Sequence, residues 1–173
     1  MQVKFWGSRG SLPSSYKSET AQNAIRFALE KAVSEGLNQQ SDLDAFIQSL
    51  PFGVRSTYGT NTPCIEIIGG MEIIICDAGS GIRDLGMSLV SQPNKKPNII
   101  NLFMSHLHWD HIQGFPFFIP AYLQGRSIKI WGCHTELEKA FIKQQSNPFF
   151  PVSLKDMGSN ISFHVIDPTK EVQ

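Results

Sequence analysis

The sequence has few of the features that mark secreted, membrane or fibrous proteins. Its three cysteines, Cys64, Cys76 and Cys133, are widely spaced and odd in number, which argues against a disulfide framework and for a reducing compartment. No C-x-x-C pair is present, so cysteine is only a minor alternative as a metal ligand. No apolar run approaches the ~20 residues of a membrane span, and no signal-peptide pattern opens the chain. A cytoplasmic protein without a membrane partner is expected.

Charge is also scarce and balanced. Charged residues make up 17% of the 173 residues, and the formal net charge is zero. No global field would therefore recruit nucleic acid, and a nucleic-acid partner stays open, since only a local patch could bind one. A hydrophobic content of 41% fits a globular protein, and the length fits one domain over 1–173.

Hydrophobic periodicity predicts a mixed α/β domain. Strands are expected at 2–6, 64–68, 71–76, 98–104, 127–131 and 161–166, and helices at 18–34, 42–50, 82–90 and 135–144. The Gly69-Gly70 pair suits the tight turn of a β-hairpin between the second and third strands. The helical pair at about 18–50 separates two strand regions and is expected to be an insertion, either a lid or a packing or dimer element.

The strongest chemical signal is a cluster of polar side chains directly after the apolar run 98–104. Within six residues it contains His106, His108, Asp110 and His111. His106 and His108 are two apart and point the same way in an extended segment, and Asp110 continues the alternation. Three imidazoles and a carboxylate suit Zn²⁺, with Mn²⁺ or Fe as alternatives. Because four donors this close can hardly all bind one ion, the pattern favours two ions, His106 and His108 on one and Asp110 and His111 on the other. The alternative is a polar loop that caps a helix.

Other residues carry weaker signals. Asp77 follows a strand and is a candidate for holding a metal-binding imidazole or ordering its loop, and for capping the helix at 82–90, roles that are compatible with each other. Arg9, in a loop rich in Gly and Pro, either approaches an anionic substrate or pairs with a carboxylate. The Phe- and Pro-rich stretch 115–122 either walls a substrate pocket or belongs to the core. His134 is expected to be structural rather than part of the site, and His164 receives no ligand role.

Four stretches together resemble a known superfamily. They are Val3-Lys4-Phe5-Trp6-Gly7-Ser8-Arg9-Gly10-Ser11-Leu12-Pro13, Tyr58-Gly59-Thr60-Asn61-Thr62-Pro63-Cys64, Cys76-Asp77-Ala78-Gly79-Ser80-Gly81-Ile82-Arg83 and 106–118, which begins His106-Leu107-His108-Trp109-Asp110-His111. In this order they resemble the metallo-β-lactamase superfamily, in particular its phosphodiesterase-like branch near ribonuclease Z and the cyclic-phosphate phosphodiesterases. The resemblance covers almost the whole chain. Its metal motif is specific for the superfamily and much less so for a substrate.

The resemblance implies an αββα sandwich and a metal-dependent hydrolase. The expected substrate is a small phosphodiester or a nucleotide, including a cyclic nucleotide, hydrolysed by metal-bound water at a dinuclear site. Asp110 would ligate one ion and orient the water or accept its proton, and Asp77 would support a ligating imidazole. The alternatives are a non-catalytic or incomplete metal-binding module, and a thioester or lactam hydrolase of the same superfamily. Substrate-binding residues are not identified.

Later motifs of the superfamily have no counterpart here. A further histidine, a bridging aspartate and a last histidine are usual, and nothing in 146–173 matches them. The sandwich is therefore expected to be incomplete at the C-terminus, and the 173-residue chain alone to be weakly active or inactive. A half-built sandwich exposes apolar sheet surface, which favours a homo-oligomer.

Overall fold

The computed structural model describes residues 1–38, 41–91 and 98–170. The strands are β1 (Gln2–Gly7), β2 (Cys64–Ile68), β3 (Ile73–Cys76), β4 (Ile99–Met104), β5 (Ser127–Gly132) and β6 (Asn160–Val165). The helices are α1 (Ser18–Ser34), α2 (Leu43–Ser49), α3 (Phe52–Arg55), α4 (Gly81–Val90), α5 (Trp109–Ile112) and α6 (Leu137–Gln144). Three 3₁₀ turns cover Phe115–Phe117, Ile119–Tyr122 and Leu154–Asp156. A polar linker predicted at 92–97 lies outside the described residues.

The chain forms two compact units. One unit combines Met1–Pro13 with Asn61–Gln173, and the other is Ser14–Thr60. The helical insertion expected at about 18–50 lies in the second unit, which extends beyond it at both ends. A single domain over 1–173 stays a prediction.

The second unit is helical. α1 has the bounds that its hydrophobic spacing predicts, and Gly36, with φ of 67°, follows its end. The Asp42 side chain caps α2 by accepting a hydrogen bond from the Ala45 amide at 3.0 Å. Pro51 ends α2 as expected, but a further short helix, α3, follows that the pattern did not predict.

The first unit is built on one six-stranded mixed sheet, with strand order β1-β2-β3-β4-β5-β6. β1, β2 and β3 pair antiparallel, and β3 to β6 run parallel. The β2–β3 hairpin confirms the prediction from Gly69-Gly70. Because β3, β4 and β5 are parallel neighbours, the segments that follow them meet at one edge of the sheet.

One face of the sheet forms the core with the helices. Alternate residues of the central strands are buried, among them Ile75, Leu102 and Ile130. α4 contributes Ile82 and Leu85, and α6 contributes Leu137 and Phe141, to the same core. Phe115 and Phe118 are also fully buried there. The core interpretation of 115–122 is therefore confirmed for these two residues, whereas Phe117 is 55% exposed.

The opposite face carries a row of side chains that crosses all six strands. In register from β1 to β6, the row is Phe5, Ile65, Cys76, Phe103, Trp131 and His164. Trp131 stacks between Phe103, at 6.0 Å between ring centroids, and His164, at 4.2 Å. Phe5 remains 66% exposed. A mixed α/β unit with helices on one face and a largely apolar row on the other is consistent with an incomplete αββα sandwich.

In the described residues, no helix is both long and apolar enough to cross a membrane.

Candidate functional site

The predicted cluster lies at the edge of the sheet where β3 and β4 end. β4 ends at Met104, and α5 begins at Trp109. Asp110 is therefore inside a helical turn, and the strand-like alternation predicted to reach Asp110 ends at His108. The reason is that His108 is the extended residue that precedes α5, so the chain turns two residues earlier than expected.

The turn nevertheless brings the four predicted donors together. The rings of His106 and His108 have centroids 4.6 Å apart, and those of His106 and His111 are 3.9 Å apart. Nε2 of His111 lies 3.4 Å from Oδ2 of Asp110. The side chains of Asp110 and His111 are 13% and 15% exposed, so both are well shielded from bulk water while still reachable.

Asp77 and Ser105 hold two of the imidazoles. The Ser105 amide donates to Oδ1 of Asp77 at 2.8 Å, and its hydroxyl contacts both carboxylate oxygens at 2.8–2.9 Å. Nδ1 of His111 lies 2.9 Å from Oδ2 of Asp77, and Nδ1 of His106 lies 3.1 Å from the Ser105 hydroxyl oxygen. Since a carboxylate only accepts hydrogen bonds, the Ser105 proton goes to Asp77 and the Ser105 oxygen accepts from His106. We therefore assign the proton of both imidazoles to Nδ1, which leaves both Nε2 atoms with a free lone pair.

Asp110 is anchored by a loop far away in sequence. The Ser11 amide donates to Oδ2 of Asp110 at 2.9 Å. Ser11 and Asp77 are the two non-glycine residues with positive φ in the described part of the chain, each at 62°. Both contact the cluster, and strained backbone of this kind persists where surrounding structure enforces it, often at functional sites.

Two glycines allow α5 to pack closely on the loop after β3. A Cβ at Gly79 would lie 2.5 Å from the carbonyl oxygen of Asp110, and a Cβ at Gly114 would meet the carbonyl of Gly79. The amide of Ala78 donates to the His111 carbonyl at 2.8 Å, and the Gly114 amide donates to the Ala78 carbonyl at 2.9 Å. The backbone beneath the cluster is therefore fixed by contacts that a larger side chain would prevent.

The ionisation of the cluster suits metal binding. Desolvation, followed by the neighbouring His111 and His108, lowers the pKa of His106. This shift favours neutral imidazole, the form that binds a metal. Desolvation alone would raise the pKa of Asp110, but the Ser11 amide and His111 outweigh it, so that the pKa is lowered and the carboxylate stays charged.

The chemistry of the donors fits a divalent cation, while their side chains are engaged with one another. Three imidazoles, two with a free Nε2, and a charged carboxylate are the ligands that Zn²⁺ prefers. Within residues 1–38, 41–91 and 98–170, no group of three or more His, Cys, Asp or Glu side chains is arranged to hold an ion. The assignment of His106, His108, Asp110 and His111 as metal ligands therefore stays a prediction.

The structure also gives the positions of the other candidate residues, Asp77, Arg9, His134 and His164. Helix α4 begins after Ser80 without a side-chain cap, so the prediction that Asp77 caps it is wrong, because the Asp77 carboxylate is used by Ser105 and His111. Arg9 is exposed, and no ion pair found in the described residues includes it. His134 is exposed and outside the cluster. His164 lies within β6, where the Ser162 hydroxyl is 2.9 Å from its Nε2.

Sequence reasoning assigned no role to Ser105 or Ser11. Ser105 had a usable signal, because it directly follows β4 as Asp77 follows the neighbouring parallel strand β3. Ser11 had none, since its contact with Asp110 spans 99 residues and is made by the backbone amide, which every residue except proline has.

The cavities in the described part of this unit include two that none of the four predicted ligands lines. The larger, of about 810 Å³, lies between α6, the segment 145–159 and β6. The smaller, of about 410 Å³, lies between α5 and α6. It adjoins the cluster because its lining includes Trp109, the residue between His108 and Asp110.

Comparison with known proteins gave a limited result. No family model and no curated protein sequence matches the chain. Among solved structures, the metallo-β-lactamase fold protein YhfI from Bacillus subtilis is similar at 17% sequence identity, with a TM-score of 0.41. The match covers 68% of this chain and 43% of that protein, so it spans less than half of the solved chain. A similarity of this size carries no argument about activity.

Proposed function

We propose that the protein is a metal-dependent hydrolase of the metallo-β-lactamase superfamily, and that its substrate is a phosphodiester. The observation that carries the proposal is the cluster itself. Three imidazoles and a carboxylate follow a buried parallel strand, and Asp77, Ser105 and Ser11 hold His106, His111 and Asp110 from three different segments. Side chains so fixed by surrounding hydrogen bonds are typical of a prepared metal site.

His106, His108, Asp110 and His111 would hold the cations, with Zn²⁺ favoured and Mn²⁺ or Fe as alternatives. Bound divalent cations would polarise the phosphate and lower the pKa of a water molecule. Asp77 keeps Nδ1 of His111 protonated, and Ser105 does the same for His106, so that both rings present Nε2 to a ligand. We propose two bound ions rather than one, because the four donors are too close together to bind a single ion in good geometry.

Asp110 is proposed to orient the attacking water and accept its proton. Its carboxylate is kept charged by the Ser11 amide, which donates to Oδ2. A charged carboxylate among the proposed metal ligands is the group suited to accept a proton from that water.

A phosphodiester rather than a lactam or thioester is favoured by the resemblance to the phosphodiesterase-like branch and by Arg9, a basic residue in the loop that carries Ser11. Arg9 is exposed, and the Ser8 and Arg9 amides both donate to the Asn61 carbonyl, at 3.0 and 2.9 Å, which fixes the backbone of this loop. A guanidinium carried by this loop would suit a phosphate oxygen. The three cysteines are free, which supports a cytoplasmic location as part of the same proposal.

The test is a substrate panel with a matched variant. This 173-residue chain, and a C-terminally extended form should the reading frame continue past Gln173, are each loaded with Zn²⁺ or Mn²⁺ and assayed with bis(p-nitrophenyl) phosphate, a chromogenic lactam and a thioester. Phosphodiester turnover is expected to be fastest. Asp110→Asn is expected to lower kcat by about 100-fold or more with a small change in KM, and Asp44→Asn, at an exposed site in α2, is expected to change neither.

Three results would contradict the proposal. Faster turnover of the lactam or the thioester would show that the substrate is not a phosphodiester. Unchanged turnover of Asp110→Asn at saturating metal would remove Asp110 from the mechanism. Metal binding without hydrolysis of any of the three substrates would favour the non-catalytic module instead.

A further inference from the structure

Thr62, just before β2, is a fully buried polar residue that the proposed chemistry does not use. None of its surface is exposed. A polar side chain withdrawn completely from water is stable only when its hydrogen-bonding atoms are paired. Thr62 meets this condition through contacts with two segments that carry residues of the candidate site, the loop after β3 and the end of α5. It therefore joins these two segments.

The first contact is a reciprocal pair with Ser80, in the loop after β3. The Thr62 amide donates to Oγ of Ser80 at 2.9 Å, and the Ser80 amide donates to Oγ1 of Thr62 at 2.7 Å. The Ser80 hydroxyl in turn donates to Oδ1 of Asn61 at 3.0 Å. These three hydrogen bonds fix residues 61–62 against the loop after β3.

The second contact reaches the end of α5. Nε2 of Gln113, the residue that follows α5, donates to Oγ1 of Thr62 at 2.9 Å. The Gln113 amide also donates to the Trp109 carbonyl at 2.8 Å, so its backbone continues the helical turn that contains Asp110 and His111. The Thr62 oxygen therefore accepts from the loop after β3 and from the end of α5 at once, and sets the distance between them.

Asn61, next to Thr62, holds the N-terminal loop. Its carbonyl accepts both the Ser8 amide and the Arg9 amide, at 3.0 and 2.9 Å. A carbonyl oxygen has two lone pairs, and this one uses both on consecutive residues of one loop. Since the hydrogen bonds of Thr62 fix residues 61–62, the position of the N-terminal loop depends on the same contacts.

Ser11 lies in that loop and connects it to the cluster. The Leu12 amide donates to the Gly10 carbonyl at 2.8 Å, which closes a three-residue turn around Ser11 at a φ of 62°. Turns of this kind with positive φ are rare and strained, and they persist where the surrounding structure enforces them. The Ser11 amide donates to Oδ2 of Asp110 at 2.9 Å, so this contact depends on how the loop is held.

These contacts form a closed path. It runs from Thr62 through Gln113 and α5 to Asp110. It returns through the Ser11 amide and the N-terminal loop to Asn61. We propose that Thr62 is a positioning residue of the candidate site: its Oγ1 holds α5 and the N-terminal loop at the separation at which the Ser11 amide reaches Asp110. This inference rests on the proposed function in that Asp110 is then oriented for its role toward the attacking water.

A purely structural role for Thr62 leads to a different expectation. If Thr62 only stabilised the fold, its loss would have the same effect as any other change that loosens α5. Gln144 provides the comparison, because its Nε2 donates to the Ile112 carbonyl at 2.8 Å. It holds the same helix from α6 instead of from residues 61–62.

The test measures the Ser11 amide directly, by NMR hydrogen exchange in the metal-free 173-residue chain. Thr62→Val keeps the shape of the side chain but removes the acceptor, and Gln113→Leu removes the donor at the end of α5. Both are expected to raise the exchange rate of the Ser11 amide about 10- to 100-fold, the usual worth of a hydrogen bond to a charged group. Thr62→Ser, which keeps the oxygen, and Gln144→Leu are expected to keep the wild-type rate.

Two further variants and measurements complete the design. Asp110→Ala gives the exchange rate of the Ser11 amide without its acceptor, which is the upper limit for the other variants. Urea unfolding of each variant measures its stability. Gln113 is half-buried, so Gln113→Leu decides the test if Thr62→Val does not fold.

Turnover is a second readout, and it depends on the proposed function. In the form of the protein that hydrolyses bis(p-nitrophenyl) phosphate, Thr62→Val is expected to lower kcat about 10- to 100-fold at saturating Zn²⁺. The change in KM is expected to be small, because Asp110 is misoriented while the substrate contacts remain. Thr62→Ser is expected to retain the wild-type kcat.

An unchanged Ser11 exchange rate in Gln113→Leu or in a folded Thr62→Val would overturn the proposal. So would an equal rise in Gln144→Leu, because any loosening of α5 would then be enough. An unchanged kcat beside a raised exchange rate would also overturn it, since the Ser11 contact would then not orient Asp110.

The exchange measurement does not involve hydrolysis, so the two proposals fail separately. A raised Ser11 exchange rate in Thr62→Val and Gln113→Leu, without phosphodiester turnover by any form of the protein, would retain the positioning of Ser11 by Thr62 and contradict the proposed hydrolase. Phosphodiester turnover with an unchanged exchange rate in both variants would do the reverse.

Discussion

β4 and β5 are similar strands, but different segments lie next to their C-terminal ends. Both are parallel, buried strands, and both are followed within two residues by a histidine, His106 after β4 and His134 after β5. His106 contacts Ser105 and the rings of His108 and His111. His134 is exposed, and no hydrogen bond or ring contact of its side chain is found in the described residues.

The difference comes from neighbouring segments rather than from the histidines. The end of β4 lies beside Asp77, which follows β3, and is reached by the loop that carries Ser11. At the end of β5, the residues before His134 are Gly132 and Cys133, and neither has a carboxylate or a hydroxyl group. A histidine after a strand therefore becomes a candidate ligand when a carboxylate and a hydroxyl from adjacent strands fix its ring. The predictions below test this contrast.

The largest effect is expected from removing the histidines after β4. His106→Ala with His108→Ala should lower Zn²⁺ affinity by about 1,000-fold, roughly 4 kcal/mol, because two of the predicted donors are lost. His134→Ala should leave the affinity unchanged. Zinc titration with a chromogenic chelator and elemental analysis of the purified chains measure both. Equal metal in the wild type and the double variant would show that the cluster is only a polar loop.

The next largest effect is expected at the glycine beneath α5. Gly79→Ala should lower the free energy of unfolding by about 2–3 kcal/mol, because its Cβ would overlap the Asp110 carbonyl and the Thr62 side chain. Gly10→Ala, where no atom lies within 4 Å of the added Cβ, should change it by less than about 0.5 kcal/mol. Urea unfolding followed by circular dichroism gives both values. Similar urea midpoints for the two variants would mean that the loop after β3 can move to accommodate the added methyl group.

A smaller effect is expected from neutralising the carboxylate that holds the imidazoles. Asp77→Asn should weaken Zn²⁺ binding by about 10- to 100-fold, the usual cost of losing such a partner. Asparagine tolerates the positive φ of this position, so the backbone is expected to stay in place. Asp84→Asn, in α4, is the control. If Asp77→Asn binds Zn²⁺ like the wild type, the orientation of His111 does not depend on the charge of Asp77.

The smallest effect is expected at Ser105. Ser105→Ala removes the hydroxyl that bridges Asp77 and His106 but keeps the amide that donates to Asp77. Zinc affinity should fall by about 3- to 10-fold, the worth of one hydrogen bond. Ser127→Ala, on β5, should have no effect. A larger loss than in Asp77→Asn would show that Ser105, rather than Asp77, sets the position of His106.

Much of the local structure could be predicted from the sequence. The bounds of α1, the β2–β3 hairpin and the strands before and after the cluster follow from periodicity and from glycine and proline, because these signals act within a few residues. The end of the strand-like alternation at His108 was missed, because helix formation from Trp109 begins without a capping side chain. The 3₁₀ turn at Ile119–Tyr122 was missed too, since its proline indicates only a break.

By itself, the sequence determined the chemistry of the candidate site: three imidazoles and a carboxylate in six residues after a buried strand, and Asp77 at the end of another. Tertiary structure alone decided which groups meet. The parallel pairing of β3 with β4 places Asp77 beside Ser105, the N-terminal loop brings the Ser11 amide to Asp110, and the position of α6 beside α5 brings Nε2 of Gln144 to the Ile112 carbonyl. The physical reason is that these contacts join segments 28 to 99 residues apart. Strand register and helix packing set their geometry, and no local pattern encodes it.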